Sequence, residues 1–134
     1  MLSIKDLKLA EKSAAEQREL VLELNNILKE IERGETTITA LKADLESINN
    51  RYKGPRSTRQ DVEYLTELLA CAKRKLNWEK HLASLQKRTP SALERMTRLL
   101  ADPKNPPAEE VRTEMLRVLQ AIQAAMEKLQ GVAG

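Results

Sequence analysis

Cys71 and His81 are the only side chains that could form a nucleophile and its base, since the chain has one cysteine and one histidine. A catalytic thiol needs the imidazole within hydrogen-bond reach. The two residues lie ten positions apart on one predicted helix, which separates them by about 15 Å along its axis. We therefore expect a buried, apolar Cys71, a solvated His81 and no catalytic pair within one chain.

Metal and phosphate chemistry have equally little support. One histidine and one cysteine cannot supply a His- or Cys-rich metal site. Most carboxylates lie near Lys or Arg at helical spacing, which is typical of solvated helix faces. The four glycines, Gly34, Gly54, Gly131 and Gly134, are scattered and form no phosphate-binding loop. The sequence indicates no enzyme, no cofactor and no small-molecule substrate.

Basic side chains are the remaining candidates, because they could contact an anionic partner. Residues 51–100 contain 12 Lys/Arg and five Asp/Glu, a net charge of +7, whereas residues 1–50 carry −3 and residues 101–134 carry −1. Phosphate contacts require only basic groups on one face. The candidate anionic-partner site comprises Arg51, Lys53, Arg56, Arg59, Lys73, Arg74, Lys75, Lys87 and Arg88, with Arg95 and Arg98 further along.

Two interpretations of this basic region stay open. Nucleic acid is a possible partner, but binding of single strands usually needs aromatic side chains that stack on bases. Tyr52 and Tyr64 are the nearby candidates, and both occupy apolar helix positions. The favoured alternative is that the basic residues solubilise the bundle and pair with the acidic first helix.

A seven-residue repeat organises the first part of the chain and is typical of a helix that packs along its length against other helices. We call it the α1 seam and regard it as the candidate helix-packing interface. It consists of Leu20, Leu24, Ile27, Ile31, Gly34, Ile38, Leu41, Leu45, Ile48 and Tyr52.

Gly34 leaves two possibilities for this segment. It could end a first helix in a left-handed conformation. Alternatively, it could lie inside one helix, where glycine is less stable than alanine by about 1 kcal/mol. Ile38 follows Ile31 by seven residues, so the repeat keeps its register across the glycine. We therefore predict one helix from about residue 4 to 52, capped by Ser3 and about 70 Å long.

The rest of the chain predicts three further helices. Gly54 and Pro55 end the first helix, and the short connection implies an antiparallel second helix over about 58–88. Thr89 and Pro90 fit the N-cap and first position of a short helix over about 90–101. A proline-rich loop then precedes a last amphipathic helix over about 107–130.

The second helix carries two apolar stripes, which are Val62, Leu65, Leu69, Ala72 and Leu76, and Tyr64, Leu68, Cys71, Trp78, Leu82 and Leu85. A two-helix hairpin needs only one of them. We expect the last two helices to cover the other stripe or the N-terminal part of the first helix. Exposure of Leu116, Leu119 and Met126 would argue against that packing and for dimerisation.

The predicted fold is all-α. It is a single domain over residues 1–134, an elongated antiparallel hairpin or coiled coil of two long helices, with a short helix and a C-terminal amphipathic helix completing a bundle. The absence of an N-terminal signal pattern, of 18 consecutive apolar residues and of a second cysteine predicts a soluble cytoplasmic protein without a membrane partner.

The predicted function is that of a non-enzymatic helical interaction or assembly protein. Such a protein could be an adaptor, a complex subunit or a stoichiometric inhibitor, and its partner would be another protein or a second copy in a homo-oligomer. The alternative is a nucleic-acid-binding protein that uses the basic surface of residues 51–98.

Overall fold

The computed structural model describes residues 3–133, with side chains over residues 3–130, and this part of the chain contains three helices and no strand. The helices are α1 (Ile4–Arg51), α2 (Thr58–Leu100) and α3 (Glu109–Ala133). Two long helices pack as a hairpin and the third packs against both. The predicted all-α bundle is confirmed, except that α2 takes the place of two predicted helices.

The first helix runs without a break through Gly34. It begins with the predicted cap, in which the Asp6 backbone N–H donates to Ser3 Oγ at 3.1 Å. Gly34 is buried against α2, and a Cβ built at this glycine would lie 2.6 Å from Leu82 Cδ2. The absent side chain thus lets the two helices approach closely, which explains why a weak helix former occupies this position.

The connection between α1 and α2 reverses the chain. Gly54 has φ of +87°, the left-handed conformation that favours glycine. Ser57 then caps α2, accepting a hydrogen bond from the Gln60 backbone N–H at 3.2 Å. The Cys71 thiol donates to the Leu41 carbonyl oxygen at 3.6 Å, well away from the turn. The two helices are therefore antiparallel, as predicted.

The predicted break at residues 89 and 90 is wrong, because α2 continues through Pro90 to Leu100. Thr89 caps no helix; it is fully buried, and its hydroxyl donates to the Leu85 carbonyl oxygen at 2.6 Å. The buried residues Leu82, Leu85, Thr89, Ala92 and Met96 keep alternating three- and four-residue spacing across the proline. Burial of this stripe outweighs the backbone hydrogen bond that proline cannot make.

The last helix begins at Glu109, two residues later than predicted, and extends to Ala133, past the predicted end at residue 130. Its start is held by the loop before it, where buried Gln17 donates through Nε2 to the Asn105 carbonyl oxygen at 3.3 Å. Arg117 pairs with Glu114 on the same helix, and this hydrogen bond lowers the pKa of the Glu114 carboxyl.

The third helix runs parallel to α1 along one face of the hairpin. Arg117 Nη2 lies 3.3 Å from Asn25 Oδ1, and Lys128 Nζ lies 3.9 Å from Glu35 Oε1. Partner numbers rise together in the two helices, which fixes the parallel direction. Both α1 residues lie on the same side of its seam, by helical periodicity.

Ion pairs between α1 and α2 mark the other face of the hairpin. Arg95 Nη2 lies 3.2 Å from Glu23 Oε2, and His81 Nε2 lies 3.0 Å from Glu30 Oε2. The two glutamates lie on the side of the α1 seam opposite to the residues that contact α3. Among the described ion pairs, Arg95 is the one Lys or Arg of α2 that pairs with an acidic residue of α1, so the predicted pairing of the basic region with the acidic first helix is found at one position.

The helices form a three-helix part and a two-helix arm. The larger core joins all three helices around Leu24, Met96 and Ile122, each 0% exposed. A smaller core of Leu41, Ile48 and Cys71 joins α1 and α2 alone near the turn. We call this end of the hairpin, residues 39–77, the arm.

The last helix packs on the hairpin as expected, but not all of its apolar side chains are buried. Leu119 and Met126 are half-buried and pack on the larger core, although Leu116 is 39% exposed. The third helix covers the N-terminal half of α1 together with the C-terminal half of α2. It leaves one α2 stripe in the arm uncovered.

Replacing Gly34 by alanine tests the close approach at Leu82. Overpacking costs about 1–3 kcal/mol and the gain in helix propensity returns about 1 kcal/mol, so we expect Gly34→Ala to lower the free energy of unfolding by up to about 2 kcal/mol. In a Leu82→Ala background the same change should raise it by about 1 kcal/mol. Urea denaturation of all four proteins measures the coupling, and additive effects would contradict the contact.

Replacing Pro90 tests the continuous second helix. Pro90→Ala restores a backbone N–H for the Gln86 carbonyl and removes the ring's clash with the preceding turn. We expect the free energy of unfolding to rise by about 1–3 kcal/mol. The control is Pro55→Ala in the turn, which should lower it by about 0.4–1 kcal/mol. If Pro90 instead began a separate helix, its replacement would be neutral or destabilising.

Candidate interaction surface

The two residues considered for nucleophilic chemistry each have a structural environment of their own. Cys71 is 7% exposed and its thiol donates to a backbone carbonyl within the arm. His81 pairs with Glu30 and lies edge-on to Trp78, with ring centroids 5.7 Å apart. Within residues 3–133, no three His, Cys, Asp or Glu side chains gather in a way that could hold a metal ion.

The predicted helix-packing interface lies inside the molecule. Eight of the ten α1-seam residues are buried, and Leu45 and Tyr52 are half-buried. Leu24 is fully enclosed and Ile27 is 7% exposed, both in the core shared with α2 and α3. The seam therefore packs α1 against the other helices of the same chain, and its use by an outside partner stays a prediction.

Part of the predicted anionic-partner site is engaged in ion pairs around the turn. Arg51 pairs with Glu67 at 3.4 Å, Arg56 with Asp61 at 2.7 Å and Arg59 with Glu63 at 3.4 Å, and Lys75 pairs with Glu79. The remaining members of the set, Lys53, Lys73, Arg74, Lys87 and Arg88, are exposed. The turn therefore presents a mixed surface, and its positive charge is partly neutralised.

Arginine side chains cover the tyrosines near the turn. The Arg56 guanidinium lies 4.6 Å from the Tyr64 ring centroid and donates to the Tyr52 carbonyl oxygen at 2.8 Å. The two tyrosine rings are 5.3 Å apart. The neighbouring Glu67 carboxylate raises the pKa of the Tyr52 phenol, because it interacts more favourably with the neutral phenol than with the phenolate. These rings are occupied by protein contacts and are poorly placed to stack on bases.

The uncovered stripe on α2 is the most extensive apolar surface of the arm. We call it the outer stripe; it comprises Val62 (60% exposed), Leu65 (59%), Leu69 (57%), exposed Ala72 and Leu76 (49%). The spacing alternates between three and four residues, so these side chains follow one another along one side of the helix. Regular exposure of this kind is typical of a helix face that receives another helix.

The outer stripe lies on the same face of the hairpin as α3. Seven-residue steps from Leu65 and Ala72 along α2 reach Leu93 and Leu100. Those two leucines are half-buried against the core that α3 completes, on the flank of α2 opposite Arg95. The outer stripe thus lies in line with the surface on which α3 packs.

The described part of α3 stops short of most of the outer stripe. Lys128, near the end of α3, lies beside Glu35 of α1. Glu35 lies between two α1 residues that contact α2. Glu30 contacts His81, and Leu41 contacts Cys71. The described side chains of α3 therefore reach a level between Cys71 and His81, and most of the outer stripe lies beyond them.

A row of basic side chains runs beside the outer stripe. Arg59, Lys73, Lys80 and Lys87 are related by seven-residue steps, with Thr66 at the remaining position, and all are exposed. We call these four residues the basic row. Its three lysines form no ion pair with any residue in the described part of the chain. Lys80 is not among the predicted site residues, although it lies seven residues from both Lys73 and Lys87.

Comparison with protein-family models, with curated proteins and with solved structures found no match to this chain. No helix within residues 3–133 combines the length and the apolar character needed to cross a membrane. Function must therefore be inferred from the surfaces of the molecule itself.

Polar substitution tests whether the outer stripe contributes to folding. We expect Leu65→Ser with Leu69→Ser to change the free energy of unfolding by less than about 1 kcal/mol, since both side chains are largely exposed. The control, Leu85→Ser, removes a residue that is 2% exposed and should cost more than about 3 kcal/mol. Urea denaturation measures both, and equal losses would show that the stripe is part of the core.

Proposed function

We propose that this protein is a non-enzymatic helical interaction protein, acting as an adaptor, a complex subunit or a stoichiometric inhibitor. Its outer stripe receives a helix from another protein, which lies on the arm on the same face as α3. The observation that supports this most directly is the uninterrupted series of exposed apolar side chains at coiled-coil spacing. The mechanism is stoichiometric helix packing.

Two other apolar surfaces support the proposal less well. Ile4, Leu7 and Leu9 near the start of α1 are 50–73% exposed, but Leu9 lies on a different side of the helix from the other two. The stripe of α3 is buried in the core, where Met115, Val118 and Ile122 are each 0% exposed. The outer stripe alone combines regular spacing with exposure over four turns.

The size of the outer stripe sets the strength of binding. Complete burial of an exposed Val or Leu contributes about 1.5–3 kcal/mol, and its four large side chains are already about half-buried. Their burial therefore contributes roughly 3–7 kcal/mol, against an association cost of about 4–15 kcal/mol. The stripe alone supports weak binding, so the proposed partner needs further contacts beside it.

Nucleic-acid binding by the surface of residues 51–98 is the second candidate. The observation that favours it is the basic row, whose three lysines are exposed and unpaired within the described residues. Phosphate contacts would explain the row but would leave the adjacent aliphatic side chains in water. Helix binding uses both features and is therefore preferred.

The proposed site of action is the cytoplasm. The single cysteine is buried and free, which suits a reducing compartment. Protein binding in such a compartment needs no cofactor.

A neutral helical peptide tests the proposed function. The probe is a peptide of about 20 residues, with leucine at alternating three- and four-residue spacing and with Gln and Ala elsewhere. Because the stripe alone supports only weak binding, we expect a Kd on the order of millimolar for the wild-type protein, measured by NMR titration, and at least about tenfold weaker binding to the Leu65→Ser, Leu69→Ser variant. Leu22→Ser is the control, because Leu22 is 63% exposed on α1 and lies outside the stripe. Equal binding to all three proteins would refute the proposal.

A further inference from the structure

We propose that the partner helix carries a row of acidic side chains beside its apolar residues, so that it contacts the outer stripe and the basic row together. This inference rests on the proposed function of the outer stripe and adds the chemistry of its partner.

The order of features around α2 places the two surfaces side by side. Val62, Leu69 and Leu76 form the edge of the outer stripe farthest from α1, since seven-residue steps relate them. The next row around the helix is the basic row, which is turned away from the core. A helix seated on the stripe would extend its flank over these lysines, in the way that flanking charges pair across coiled coils.

Most of the positive charges of the basic row are not paired with acidic side chains of the described chain. Arg59 pairs with Glu63 at 3.4 Å with its side chain 90% exposed. Lys73 and Lys80 have no ion-pair partner among the described residues. The row contains no acidic residue between Arg59 and Lys87. Complementary negative charge therefore has to come from outside this surface.

A second copy of the chain fits this surface poorly. Two arms joined through their outer stripes in an antiparallel, two-fold arrangement would bring the basic row of one copy beside that of the other. Arg59 would then approach Lys73 or Lys80 of the other copy at both ends of the contact. Opposed like charges disfavour such a pairing, whereas an acidic partner meets no such penalty.

The dimensions of the site define the partner more closely. Val62 to Leu76 spans about 21 Å of helix, which corresponds to about four turns of a partner. The partner would lie on the same face of the hairpin as α3, with most of its contact beyond the described side chains of α3. An amphipathic helix of about 15 residues or more, with Asp or Glu along one flank, satisfies both surfaces.

Two charged peptides test the inference with the full-length protein. They keep the leucines of the neutral probe but carry Glu, or alternatively Lys, along the flanks of the stripe. We expect the Glu peptide to bind at least about tenfold more tightly than the Lys peptide at about 50 mM salt. The ratio should fall at about 500 mM salt, because the charges are exposed and screened.

Charge-reversal variants test whether Lys73 and Lys80 cause the tighter binding of the Glu peptide. Lys73→Glu with Lys80→Glu should reverse the preference between the two peptides. The control is Arg74→Glu with Arg88→Glu, which changes the net charge equally on the flank of α2 that carries His81, and it should leave the preference intact. An unchanged preference in the Lys73, Lys80 variant would overturn the inference.

Four other results would also overturn it. Equal affinity for the Glu and Lys peptides, with the neutral peptide still bound, would reject the acidic partner while leaving the proposed function standing. Failure of all three peptides to bind would reject both. A dimer in light scattering that Leu65→Ser, Leu69→Ser abolishes would assign the stripe to a second copy. Competition by a labelled DNA duplex, lost in the Lys73, Lys80 variant, would favour nucleic acid.

Discussion

The packing of α2 against the seven-residue repeat of α1 is the contact on which the rest of the structure depends. It joins two helices of 48 and 43 residues, neither of which would be stable alone in water without a buried face. Every ion pair across the hairpin follows its register. The position of α3, and therefore the exposure of the outer stripe, follows from the same register.

The seven-residue spacing continues unbroken across both Gly34 and Pro90, and this explains both the correct and the wrong helix prediction. The repeat crosses Gly34 without a shift, and the helix continues there as predicted. The stripe through Leu85, Thr89 and Ala92 crosses Pro90 in the same way. Local signals at Thr89 and Pro90 favoured a new helix, but burial of the stripe dominates over one missing hydrogen bond. The same periodicity rule, applied at both positions, would have predicted both helices.

The candidate site was harder to predict because exposure is a property of the assembled bundle. Periodicity identified two stripes on α2 and showed that a hairpin uses only one of them. It could not show which part of the hairpin α3 covers, which depends on its parallel direction and on the anchoring of Gln17 to the loop before α3. The α1 seam, predicted as a helix-packing interface, packs against the other helices of the chain. Ion pairs such as Arg56 with Asp61 likewise depend on the turn geometry.

The α2 residues in line with the surface that packs against α3 are apolar at both ends of the series and polar in the middle. Leu100 and Leu93 are followed, at seven-residue steps, by Gln86 and Glu79, and then by Ala72 and Leu65. Gln86 and Glu79 are half-buried, and Glu79 pairs with Lys75. Two polar positions therefore separate the apolar surface under α3 from the apolar surface of the arm. Because the two surfaces are distinct, the proposed partner helix would not have to displace α3 in order to bind the arm.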